Sequence, residues 1–150
     1  MSDVRGFLER HLRGIFAHDV ESYRETTSED LGLYEWHIIP QRIDGRPFHD
    51  FRMEESARAG AVPLAGGTLP SGERPAEPPR VRFDLANYRE QVYGDAAIAS
   101  YTIIIQSSAG AGIAVRSYNE SRVMIRFAEG WRVVHVHKSP TYKSPLDPPG

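Results

Sequence analysis

The stretch Tyr118-Asn119-Glu120-Ser121-Arg122-Val123, followed by Trp131-Arg132-Val133-Val134-His135-Val136-His137-Lys138-Ser139, decides the fold. Polar and apolar residues alternate along both runs, and Ala128-Glu129-Gly130 marks a turn between them, so the stretch reads as a β-hairpin. Trp131, Val133, Val134 and Val136 suit a half-buried sheet. The hairpin sets Arg122 on one strand and Lys138 at the end of the next. That arrangement points to an anion pocket as well as a core. Read without that pocket, Arg122 and Glu120 make a surface ion pair, worth about 0–1 kcal/mol.

Upstream, two more extended runs are expected, Val81 to Tyr93 and Ala96 to Gln106, and the hairpin's first strand extends over Ile113 to Phe127. Gly94-Asp95 and the segment Ser107 to Gly112 separate them, and links this short imply antiparallel neighbours. The chain opens differently. Ser2 or Asp3 caps a first helix, whose Val4, Phe7, Leu8, Leu12, Ile15 and Phe16 form one apolar stripe destined for a sheet. Asp19 caps a short second helix with Val20 and Tyr23, and Thr26 to Asp30 reads as its polar exit. Leu33, Tyr34, Trp36, Ile38 and Ile39 form a strand that Pro40 interrupts. Ile43-Asp44-Gly45 is a turn before a third helix with Pro47 in its first turn and Phe48 and Phe51 facing inward. Residues 60–80, crowded with Pro, Gly and Ala, read as a flexible loop, and 139–150, with four prolines, as a tail that cannot extend a ladder. Helices first and hairpin strands after give a single α+β domain over 1–150, with N-terminal helices packed on one face of a mainly antiparallel sheet.

Composition narrows the function classes. A chain of 150 residues with a formal net charge of −2 has no basic stripe to gather nucleic acid. It has no cysteine, which excludes disulfides, thiolate catalysis and zinc–sulfur sites. The charged residues among the first ten exclude a signal-peptide core, and no apolar run approaches the roughly 20 residues of a membrane span. The expectation is a cytoplasmic protein with no nucleic-acid and no membrane partner. His135-x-His137 shares a strand face and invites a metal, but no third ligand lies in a nearby motif, so no metal is expected. No cofactor is implied either, since the glycine pairs lack the helix and lysine of a phosphate loop.

Two separated blocks carry a resemblance. Tyr34-Glu35 followed by Ile43-Asp44-Gly45-Arg46-Pro47-Phe48-His49-Asp50-Phe51 is the first. Glu120-Ser121-Arg122-Val123 with Gly130-Trp131 and Val134-His135-Val136-His137-Lys138-Ser139 is the second, and Gly94-Asp95-Ala96-Ala97 with Tyr101 fits between them. Together they resemble the nuclear transport factor 2-like superfamily, and within it the association (hub) domain of calcium/calmodulin-dependent protein kinase II. The resemblance implies a cone-shaped, cystatin-like α+β fold with a strongly curved sheet, and self-assembly into a homodimer or larger ring. It also implies a polar cavity for a small carboxylate or other organic anion, bounded by Tyr23, Glu35, His49, Arg122 and Lys138. Two positions depart from the hub pattern: Ile103 and Lys138 stand where the hub has arginines, and lysine lacks the planar fork that grips a carboxylate. Kinase activity is not implied.

Two other functions fit the same residues. One is a cofactor-independent isomerase, dehydratase or cyclase, with Glu35 or His49 moving a proton beside a carbonyl and Tyr23 or Arg122 stabilising the oxyanion. Glu35 among apolar neighbours would be desolvated, and its pKa raised, unless Arg122 or His49 pairs with it. The other is a protein–protein adaptor whose cavity is vestigial, which Ile103 favours by shrinking the polar site.

Overall fold

The structure is a computed structural model that describes residues 2–47, 80–109 and 112–141. Helix α1 spans Asp3–Phe16; Ser2 Oγ caps it by accepting from the Arg5 N–H. Its buried stripe is Val4, Phe7, Leu8, His11, Leu12 and Ile15, the three- and four-residue spacing of the sequence with one histidine set among the apolar residues. Helix α2, Val20–Thr26, is capped by Asp19, whose carboxylate accepts from the Ser22 N–H.

Six strands follow: β1 Thr27–Glu35, β2 Ile43–Asp44, β3 Arg80–Tyr93, β4 Ala96–Ala109, β5 Gly112–Phe127 and β6 Gly130–Pro140. They form one sheet in the order β2-β1-β6-β5-β4-β3. Every pairing is antiparallel except β1 with β6, which is parallel and joins the two ends of the chain. The sheet is curved and unclosed, and among the described residues the two helices, α1 and α2, lie on one of its faces, giving the α+β architecture expected. That covered face supplies Leu31, Leu33, Ala97, Ala99, Ile103, Ile105, Met124, Val133 and Val136 to the core. Phe16 stacks on Phe83, with ring centroids 5.3 Å apart, and ties α1 to the edge strand β3.

Several boundaries differ from the sequence reading. Thr27 to Asp30 belong to β1, because parallel pairing to β6 begins at Thr27 opposite Val133. That strand ends at Glu35, whose carbonyl accepts from the N–H groups of Ile38 and Ile39 in a turn, so Trp36, Ile38 and Ile39 are not strand residues. Ile43 and Asp44, read as part of a turn, pair with Leu33 and Gly32 as a short edge strand. Ser107 and Ser108 continue the β4–β5 ladder opposite Ala114 and Ile113, which shortens the expected link. Ser139 and Pro140, assigned to the tail, close β6 opposite Asn119 and Tyr118; proline is tolerated at a strand's last residue because the ladder does not continue past it. Phe48, His49, Phe51, the rest of the third helix, the loop up to residue 79 and the tail beyond 141 lie outside the described residues.

Two glycines have structural reasons. Gly94 adopts φ 60° in the tight β3–β4 turn. At Gly32 an added Cβ would lie 3.2 Å from His135 Nδ1, so the parallel β1–β6 contact depends on the missing side chain. Among the described residues, no helix is long and apolar enough to cross a membrane.

Candidate functional site

Register alone assembles the site. On the helix-covered face, Glu35 of β1 lies opposite Lys138 of β6, Lys138 opposite Glu120 of β5, and Glu120 opposite Tyr101 of β4. An acid, a base, an acid and a phenol thus stand in one row across four strands. Arg122 sits one interior position further along β5, because alternate residues of a strand share a face. All five side chains are buried.

The row is closely bonded. Lys138 Nζ donates to Glu35 Oε1 at 2.6 Å and lies 3.9 Å from Glu120 Oε2. Arg122 Nη2 donates to the same Glu120 oxygen at 3.3 Å, and its Nε donates to the Tyr101 hydroxyl at 2.9 Å. The alternative reading of a surface ion pair therefore falls away: the Arg122–Glu120 pair is buried, with both side chains at 3% exposure or less. Its energetics follow: removing one partner of such a pair leaves an uncompensated charge in a dry site. Burial works against the Arg122 charge, but contact with Tyr101 and Glu120 outweighs it and carries the guanidinium above the ordinary arginine value. Burial pushes the Tyr101 phenol up, so it remains protonated.

His11 joins the cluster from α1. Its Nε2 lies 3.3 Å from Arg122 Nη1 and its Nδ1 lies 2.8 Å from Thr26 Oγ1. A guanidinium only donates, so Nε2 is an acceptor and the proton sits on Nδ1, which donates to the Thr26 oxygen. The Thr26 hydroxyl passes its own proton to the Ser22 carbonyl at 2.9 Å. The His11 ring lies between two aromatic rings, 6.3 Å from Phe7 and 5.7 Å from Tyr23, both stacked.

Of the residues predicted for the site, Glu35, Arg122 and Lys138 come together directly, and Tyr23 borders them through His11. His49 lies outside the described residues. Glu35 is paired with Lys138, where the sequence reading offered Arg122 or His49 as its partner; as a proton-transfer base it is already held by a cation. Ile103 is fully buried in the core, with Tyr118 opposite it on β5. Sequence reasoning missed His11 and weighed Glu120 only in the alternative reading of a surface ion pair. A polar residue at the four-residue spacing of the α1 stripe was the available signal for the first, and the shared parity of Glu120 and Arg122 for the second.

His135 and His137 point to the opposite face, where the Tyr34 ring packs 6.3 Å from the first and 5.0 Å from the second. Among the described residues, no group of three His, Asp or Glu side chains could hold a metal ion. This outer face carries a shallow polar groove of about 810 Å³ along Arg89, Ser100, Asn119, Ser121 and His137.

The fold matches the calcium/calmodulin-dependent protein kinase II hub of S. rosetta, at 20% identity over 92% of this chain and 94% of that one, with a TM-score of 0.70. It also matches the hub homology domain of Chlamydomonas reinhardtii, at 23% identity over 93% and 96%, with a TM-score of 0.73. A nuclear transport factor 2-like protein of Cytophaga hutchinsonii matches at 14% identity over 93% and 99%, with a TM-score of 0.67. Among curated protein sequences none matches. At the level of sequence families, the calcium/calmodulin-dependent protein kinase II association domain matches residues 1–63 and 75–142, which include both blocks and every residue of the buried row. The chain belongs to the calcium/calmodulin-dependent protein kinase II association-domain family.

Proposed function

We propose that this protein is a self-associating, stand-alone association domain that holds a small organic anion at Arg122 and Lys138. The observation that carries the anion half is the pair of buried cations converging on one oxygen, Glu120 Oε2, at 3.3 and 3.9 Å. Among the described residues, Arg122 engages three of the five N–H groups of a guanidinium and Lys138 donates one hydrogen bond, so both retain donors for a further acceptor. Those donors suit a carboxylate.

Self-association rests on the family and on the surface. The family is named for association, and the solved relatives include hub domains. Both described helices lie on one sheet face, and Ile113, Val115, Val92, Tyr93 and Phe127 are exposed on the long hairpins. Apolar side chains displayed at hairpin ends are surfaces that a second copy can cover.

Native mass spectrometry of the purified protein reads subunit number and any small acid carried through purification. A dimer or ring with a bound organic acid is expected, and Val115→Asp should lower the subunit number without unfolding the chain. A bare monomer would end both halves of the proposal.

A further inference from the structure

Among the described residues, the buried cluster is charge-balanced before any ligand arrives. Its described members are two carboxylates, Glu35 and Glu120, and two cations, Arg122 and Lys138, all at 2% exposure or less. An anion entering this site would leave a net negative charge in a dry environment, which is costly unless something neutralises it. Building on the anion site proposed above, we infer that the anion is taken up together with a proton, and that His11 Nε2 receives this proton.

The geometry singles out His11. Its Nε2 lone pair is held by Arg122 Nη1. When a carboxylate takes the Nη edge through the N–H groups not yet engaged, the guanidinium shifts toward it and the 3.3 Å contact from Nη1 to Nε2 is given up. A proton from solvent then binds Nε2, and the resulting imidazolium donates Nε2–H to the anion. The Nδ1–H bond to Thr26 is unchanged, and the net charge of the cluster with its ligand returns to zero.

The surroundings can hold that charge. From α1 and α2 the stacked rings of Phe7 and Tyr23 flank the imidazole, an arrangement that favours a cation against aromatic faces. From β5 Arg122 faces His11, with Glu120 behind it; Tyr101 of β4, Lys138 of β6 and Glu35 of β1 are the other titratable and charged groups of the cluster among the described residues. The Tyr101 phenol, pushed up by burial, already carries its proton. The two carboxylates each accept from a cation, and ordinary carboxylates titrate well below imidazole. Imidazole is the side chain that changes charge near neutrality.

Isothermal titration with propionate, run at one pH in two buffers of different protonation enthalpy, counts the protons directly on the wild-type protein. About one proton should be taken up per propionate near neutral pH, and affinity should rise roughly tenfold for each unit fall in pH above the imidazole range. Nitrogen NMR of the His11 ring should show Nε2 changing from an acceptor to a protonated nitrogen on binding. In His11→Gln, whose amide can still accept from Arg122 and donate to Thr26, propionate affinity should lose its pH dependence. Binding without proton uptake would overturn this inference and leave the anion site standing, with Glu35 or Glu120 displaced to solvent instead. Uptake that persists in His11→Gln would overturn the assignment to His11. No propionate binding at any pH between about 5.5 and 8 would overturn the inference and the anion site together.

Discussion

Glu120, Arg122 and Lys138 stand one residue away from Asn119, Ser121 and His137 along β5 and β6, yet the two sets occupy opposite environments. The first set faces the helices and is buried; the second is exposed along the outer groove. The same strands therefore carry polar residues on both faces, and hydropathy alone does not separate them. What separates them is cost: the outer groups are solvated, whereas each inner charge depends on a specific partner.

The largest test of this contrast is Lys138→Met. It leaves Glu35 buried without its cation and should lower stability by about 3–5 kcal/mol in chemical denaturation. Pairing it with Glu35→Gln should restore much of that loss, since removing both charges leaves neither uncompensated. By contrast, His137→Gln, one residue away on the outer face, should stay within about 0.5 kcal/mol of wild type. Equal losses for Lys138→Met and His137→Gln would show that the inner row is as wet as the outer one.

The next pair works on β4. Tyr101→Phe removes the acceptor for Arg122 Nε, leaving a buried charged donor with nothing in its place, at a cost of about 1–3 kcal/mol. Ser100→Ala, its neighbour on the groove side, should again fall within about 0.5 kcal/mol. Thermal unfolding of the two variants side by side decides it, and a silent Tyr101→Phe would mean that the guanidinium is fixed by Glu120 and His11 alone.

Much of this was legible in the sequence, for a definite reason. Alternation within Tyr118–Val123 and within His135–Ser139 showed which residues share a strand face, and the hub resemblance set Arg122 beside Lys138; between the two runs a β-bulge interrupts the pattern. The helix caps at Ser2 and Asp19 were readable because capping is local chemistry within three residues. The Glu35–Lys138 pair was not readable from pattern, since it spans 103 residues and depends on a parallel β1–β6 pairing that short-link reasoning does not reach. His11 was hidden for another reason. A histidine inside an apolar helical stripe looks like packing, and only the position of Arg122, 111 residues away, shows which hydrogen bonds it makes.

The smallest expected effect lies on the outer face, where one residue departs from the contrast. His135 is half-covered by Tyr34 and sits beside His137 and Arg42; burial first, then these two neighbours, lower its pKa below the ordinary imidazole value. A histidine whose folded pKa is depressed is protonated more readily in the unfolded chain, so its contribution to stability is full above about pH 6.5 and is lost as the pH falls toward the folded value. The wild-type protein should therefore lose stability more steeply below that pH than His135→Gln, as read from urea midpoints at a series of pH values. Parallel slopes would mean that His135 is as freely solvated as the rest of its face. A flatter slope in the variant would show that even on the wet side of the sheet, the Gly32 contact and the Tyr34 ring carry desolvation across to the surface, so the boundary between the two faces is graded along β6 and not sharp.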